Sequence, residues 1–183
     1  MAEKILVDMK THILTVATSL MTEKGVKQTS LNDIAKKAGI SKGTLYYYYS
    51  AKEDIIYDIA DRNLSQITNE MMDILNNAAN ISLKDVLLTL YNKVLEAETR
   101  GKLHLYLLNE VSTNEKLSDK FKIRYSEWRE SIQEGISKFI PDNGKNKILS
   151  LLILSSLDGL IVQKLCGYDE IPVNEIVDFI IEE

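Results

Sequence analysis

The chain has 183 residues, 45% of them apolar and 27% charged, a balance that suits a folded globular protein and excludes a disordered or collagen-like one. Its net charge of -5 is unevenly spread: residues 1–52 carry +4 and the remainder -9, so an acidic total conceals a basic head suited to phosphate. A single cysteine, Cys166, excludes an internal disulfide, and residues 1–24 hold no cleavable apolar leader, which sets the expectation of a cytoplasmic protein.

Both prolines, at 141 and 172, come late, and a chain rich in Ala, Leu, Lys and Glu without earlier proline predicts helix. Ile13, Val16, Ala17, Leu20 and Met21 recur at helical spacing, so a first helix is expected from about residue 3 to 24, stopped by Gly25. Thr29 or Ser30 caps a second helix with Leu31, Ile34, Ala35 and Ala38 on one face, Asp33 completing a capping box with Ser30. Gly39 ends it, Ile40 fills the corner, and Ser41 restarts a helix over about 42–48. Two short helices around a tight glycine turn form a helix-turn-helix, whose second helix fits the major groove of duplex DNA. That helix opens with Lys42, Gly43 and Thr44. Glycine there costs roughly 1 kcal/mol against alanine, which points to close approach by a base or phosphate.

Four consecutive tyrosines follow. Leu45 and Tyr49 lie one turn apart and share the inward face, with Tyr48 at its edge, leaving Tyr46 and Tyr47 outward with flat rings and hydroxyls for a phosphate backbone. The other reading is that all four are partly buried packing residues.

The stretch "TSLNDIAKKAGISKGTLYYYYSAKEDI" at 29–55, preceded by "ILTVATSLMTEKGVKQ" at 13–28, resembles the DNA-binding domain of the TetR family of bacterial transcriptional regulators. The resemblance implies an all-α protein of about nine helices. Residues 1–50 would form the helix-turn-helix domain, and residues 51–183 a helical domain for effector binding and dimerisation. It implies that Thr29 and Lys52 hold phosphates, that Ser41 caps the recognition helix beside the backbone, and that Lys42, Gly43, Thr44, Tyr46 and Tyr47 face the groove, with Tyr48 a further phosphate candidate. A Ser50 to Glu53 capping box would place Lys52 at a helix N-terminus, a favourable place for an anion. The family usually has Phe where this chain has Tyr49, so a core hydroxyl there needs a partner or a route to solvent.

A fourth helix is expected from Ala51 to about Asn77, too long for the head alone, followed by a loop at 76–82. Further helices are expected near 82–98, 102–112, 114–139, 145–166 and 173–182, punctuated by Gly101, by Pro141 with Gly144, and by Gly167 through Pro172. The apolar stretch 148–166 carries Asp158 near its centre at an insertion cost of roughly 3 kcal/mol, which argues for a buried soluble helix and no membrane partner. Because that helix is apolar on nearly every side, a twofold homodimer through 145–166 and 173–182 is expected to cover one of them.

His12, His104 and Cys166 belong to no metal-spaced or nucleophilic set, so no catalytic group, metal or cofactor is expected and the chain is read as a non-enzyme. By the resemblance, an unknown small-molecule effector would enter the body. Polar or aromatic groups among apolar neighbours are the candidates: Tyr91, Tyr106, Asn109, Glu110, Tyr125, Trp128, Ser155 and Asp158. The expected function is a TetR-type repressor released from a palindromic double-stranded operator by a ligand. The alternative is a helical DNA-associated binding or assembly protein with no effector.

Overall fold

A computed structural model of the chain describes residues 2–77, 80–96, 98–141 and 144–182, with side chains except at 2–7, 63, 64 and 100. Every regular element among the described residues is a helix. There are nine: α1 (Ala2–Lys24), α2 (Leu31–Lys37), α3 (Lys42–Tyr48), α4 (Lys52–Asn77), α5 (Leu83–Leu95), α6 (Glu98–Val111), α7 (Glu115–Ser137), α8 (Lys145–Leu165) and α9 (Val173–Glu182). Residues 78 and 79 of the expected loop and Glu183 lie outside the described residues.

The chain divides into two compact units, residues 1–63 and 64–183. Residue 50, the boundary expected from the sequence, lies two residues past the end of α3, but the first turns of α4 belong with the head, where Ile55, Ile56 and Ile59 are buried. In this unit Ile13, Ala17 and Leu20 of α1, Ile34 of α2 and Leu45 of α3 are buried with them. The α1–α2 turn closes at Gly25, whose positive φ of 89° lets its N–H reach the carbonyl of Met21 at 3.0 Å. Ser30 and Asp33 form the expected reciprocal cap at the start of α2. Two residues past the end of α2, Gly39, with φ of 66°, reverses the chain toward α3.

The second unit packs α5, α7, α8 and α9 about a core of Leu87, Tyr91, Leu95, Ile136, Ile153, Leu157, Leu160 and Val177. Ser82 and Asp85 cap α5 reciprocally. Asn146 pins the α7–α8 turn, its buried amide donating to Ser137 Oγ at 3.0 Å and to the carbonyl of Ile140 at 3.2 Å.

Gly101 corrects one expectation. It does not end a helix but lies buried inside α6, where an added Cβ would sit 3.0 Å from Ile161 Cγ2 and 3.4 Å from Leu165 Cδ1. The residue is there for close approach of α6 to α8, and the chain breaks instead after Leu95.

By length and composition α8 could cross a membrane, with mean hydropathy of 1.7 over its richest window, of which only 22% is buried. The expected full burial therefore holds on one side. Ile153, Leu154, Leu157 and Leu160 are buried against the other helices, whereas Ile148, Leu151, Leu152 and Val162 are between 41% and 60% exposed.

Candidate nucleic-acid interface

The second helix of the helix-turn-helix is built to show one face. Ser41 is its N-cap, the hydroxyl accepting from the N–H of Thr44 at 3.0 Å and lying 2.8 Å from the Thr44 hydroxyl. Leu45 is fully buried and Tyr49 nearly so, which seals the inner face. Tyr46 and Tyr47 stand outward at 50% and 76% exposure, and Tyr48 is half-buried with its ring edge-on to Tyr47 at 5.2 Å. The four phenols thus divide as the helical period predicts, two inward or at the edge and two out.

Lys42 and Gly43 are exposed on the first turn. A Cβ at Gly43 would meet only Ser41 Oγ, at 3.8 Å, so nothing in the chain itself requires a glycine there. Lys42, Gly43, Thr44, Tyr46 and Tyr47 therefore form one outward surface beginning at the Ser41 cap.

Two residues expected at phosphates are placed differently. Thr29 is 1% exposed and its hydroxyl donates to the carbonyl of Gly25 at 2.9 Å, closing the α1–α2 turn. Lys52 is half-buried and its ammonium donates to the carbonyl of Val26 at 3.0 Å, stitching the start of α4 to that same turn. The Ser50 hydroxyl donates to Asp54 Oδ2 at 3.2 Å, and α4 starts at Lys52, one residue later than expected. The Tyr49 hydroxyl finds the partner its burial demands, donating to Asp58 Oδ2 at 2.9 Å. Burial first, then the Asp58 carboxylate, pushes the phenol well above its ordinary range and keeps it a donor.

The family described as bacterial regulatory proteins, tetR family, matches residues 13–59, which contain α2, α3 and the cap and turns just described. Residues 13–59 therefore carry the helix-turn-helix segment of that family. The HTH-type transcriptional regulator AcrR of Shigella flexneri is 37% identical over 62 residues, 32% of this chain and only 29% of that protein's length. The biofilm operon icaADBC HTH-type negative transcriptional regulator IcaR of Staphylococcus aureus (strain Newman) is 28% identical over 136 residues, 74% of this chain and 71% of that one. A putative transcriptional regulator of Saccharomonospora viridis, solved in complex with choline, shares the fold at a TM-score of 0.66 and 20% identity, covering 96% of this chain and 95% of its own. Over that segment the chain is similar to DNA-binding helix-turn-helix transcriptional regulators.

In the second unit, three of the eight ligand candidates come together. The Tyr125 hydroxyl donates to Asp158 Oδ2 at 2.8 Å, and the Trp128 ring lies edge-on to Tyr125 at 5.0 Å. Burial and the Asp158 carboxylate raise the Tyr125 phenol and keep it protonated. At their centre is His104, which its sequence neighbours place in no metal-spaced or nucleophilic set. Its Nε2 lies 3.1 Å from Asp158 Oδ1 and 3.2 Å from the Tyr125 oxygen, so the N–H is on Nε2 and faces acceptors. Its Nδ1 is buried with no hydrogen-bond partner among the described residues. Phe121, 6.1 Å from the His104 ring, closes the aromatic surround. No signal in the sequence could have found this centre, because His104, Tyr125 and Asp158 are brought together by three different helices.

The other candidates lie elsewhere. Tyr91 is fully buried in the α5–α8–α9 core with its hydroxyl on Ser156 Oγ at 2.5 Å. Ser156 itself donates to Ile153, so Tyr91 is the donor. Asn109 is exposed, its amide reaching Glu110 at 3.5 Å, and Ser155 is exposed on the uncovered side of α8. Tyr106 and Glu110 are half-buried on α6.

Proposed function

We infer that the protein is a repressor that binds a roughly palindromic duplex operator as a twofold dimer and lets go when a small molecule binds the second unit. The observation that supports DNA reading most is the division of α3, with Leu45 and Tyr49 inward and Lys42, Gly43, Tyr46 and Tyr47 outward behind the Ser41 cap. Thr44, Lys42 and the two outer tyrosines are the groove-facing set. Ser41 and Tyr48 serve the phosphate backbone, and Thr29 and Lys52 support the turn beside them. The head is residues 1–63 and the effector and dimerisation domain is residues 64–183, in place of a division at 50.

The uncovered side of α8, with Ile148, Leu151, Leu152 and Val162, and Phe179 of α9 at 69% exposure support pairing with a second copy. The dimer would set two α3 helices on half-sites about 34–36 Å apart, or a multiple of that. Localisation in the cytoplasm, where the chromosome is, follows from this role.

For the effector, the centre of His104, Tyr125, Trp128 and Asp158 replaces the wider set of candidates. A carboxylate with aromatic neighbours suits a small cation or a hydrogen-bond donor. The fold neighbour solved with choline makes choline and small amines the first compounds to titrate.

Selection of duplexes from a random library by the purified protein tests the reading. A palindromic consensus protected in footprinting is expected, and enrichment of no sequence would sink it. A true effector must bind the free protein more tightly than the DNA complex, since the coupling is reciprocal. Compounds that bind both equally would favour the alternative of a DNA-associated protein with no effector.

A further inference from the structure

We propose that the hydrogen bond from Tyr49 to Asp58 fixes the seating of α3 in the groove, so that both are positioning residues for DNA recognition although neither lies on the outward surface. The proposal rests on α3 being the element that enters DNA.

The helix α3 has seven residues, of which Leu45 alone is buried, so its packing against α2 constrains tilt and rotation about its own axis only weakly. The Ser41 cap stabilises the first turn but bonds only within α3, to Thr44. Orientation must be set at the other end.

Tyr49 stands there. Its N–H still bonds the carbonyl of Leu45 at 2.9 Å, so it moves with the helix, while its own extended backbone (φ -142°, ψ 115°) directs the side chain away from the helical path. The ring is 3% exposed, Lys10 Nζ of α1 lies 5.5 Å from its centroid, and the hydroxyl ends on Asp58. Asp58 belongs to the second turn of α4, between Ile55 and Ile56 on one side and Ile59 on the other, all buried. The carboxylate is therefore held by a part of the head that does not move separately from its core.

Apolar packing of a ring tolerates sliding and rotation, whereas a charge-assisted hydrogen bond is directional. Leu45 and Tyr49 are four residues apart, a rise of about 6 Å, and Tyr46 and Tyr47 lie between them. Any displacement at the Tyr49 end is thus carried directly to the rings on the outward surface. Base reading needs side chains held to within about 0.5 Å, a tolerance that one apolar anchor does not guarantee. A phenylalanine at 49 would keep the packing and lose the direction.

The test uses the full-length protein, a duplex selected by the wild type, and a mixed-sequence duplex as the non-specific reference. The quantity read is the ratio of specific to non-specific affinity, with a thermal midpoint taken for each variant. Tyr49→Phe and Asp58→Ala should each lower the ratio about tenfold, the loss expected for one hydrogen bond to a charged group. The double variant should lose no more than either alone. Asp58→Asn should restore most of the ratio, because its amide oxygen still accepts from the phenol. Removing the Asp58 charge changes both affinities through the field around the head, and the ratio cancels that effect.

A purely structural role predicts lower midpoints and an unchanged ratio, which would overturn the proposal, as would additive losses in the double variant. Should Asp58→Ala fail to fold, Tyr49→Phe and Asp58→Asn decide the matter, since both preserve shape. A wild type that selects no sequence defeats the reading of α3 itself. A wild type that does select, beside a Tyr49→Phe variant with the same ratio, defeats only the positioning role.

Discussion

Gly43 occupies the second residue of α3 with room for a methyl group on the protein side, so alanine there has no packing cost. Gly43→Ala should raise stability by up to about 1 kcal/mol through helix propensity while weakening operator binding. Melting curves and duplex titrations check both halves, and a variant that binds as tightly as the parent would place Gly43 outside the interface. Lys42→Ala should reduce the slope of log affinity against log salt by about one per head, leaving sequence preference intact. Thr44→Ala should instead broaden the selected consensus. The contrast with Lys52 shows where the sequence stops being legible at this scale. The period of a helix sorts Tyr46 and Tyr47 from Leu45 and Tyr49, because it decides which way a side chain leaves the backbone. It does not decide what a long or polar side chain reaches. Lys52 ends on the Val26 carbonyl and Thr29 on the Gly25 carbonyl, and neither acceptor has a sequence signature. His104 was missed for the same reason, since its partners lie 21 and 54 residues away.

Among the elements, α2 and α5 begin with the same device, a serine and an aspartate three residues on that bond each other's backbone N–H. In both, the serine hydroxyl first and its backbone N–H second hold the aspartate below its ordinary value of 3.8. A carboxylate depressed on folding contributes stability above the unfolded value and loses it as pH falls through the folded one. The caps of α2 and α5 should therefore weaken on acidification below about pH 3.8, and Asp85→Asn should flatten that part of the stability-pH curve. An unchanged acid limb would show the cap to be idle. The start of α2 was legible because a capping box is local, with all its atoms within four residues. Gly101 was not, since glycine signals either a stop or a close approach and only the neighbouring helix tells which. Gly101→Val should destabilise by about 1–3 kcal/mol through overpacking against Ile161 and Leu165.

For the whole molecule, the uncovered side of α8 is the feature with the widest reach. Leu152→Glu should leave the head folded, shift the protein to a monomer in sedimentation and cut affinity for a palindromic duplex far more than for a half-site. A variant still dimeric would place the interface elsewhere. The apolar character of α8 was plain from its sequence, but which of its sides stays open is settled only by where α5, α6 and α7 pack. Pairing through that strip, as proposed, would also make gene control depend on dosage. Where pairing is weak relative to the number of subunits in a cell, promoter occupancy rises with the square of that number, so halving synthesis lowers silencing about fourfold, the order expected from mass action.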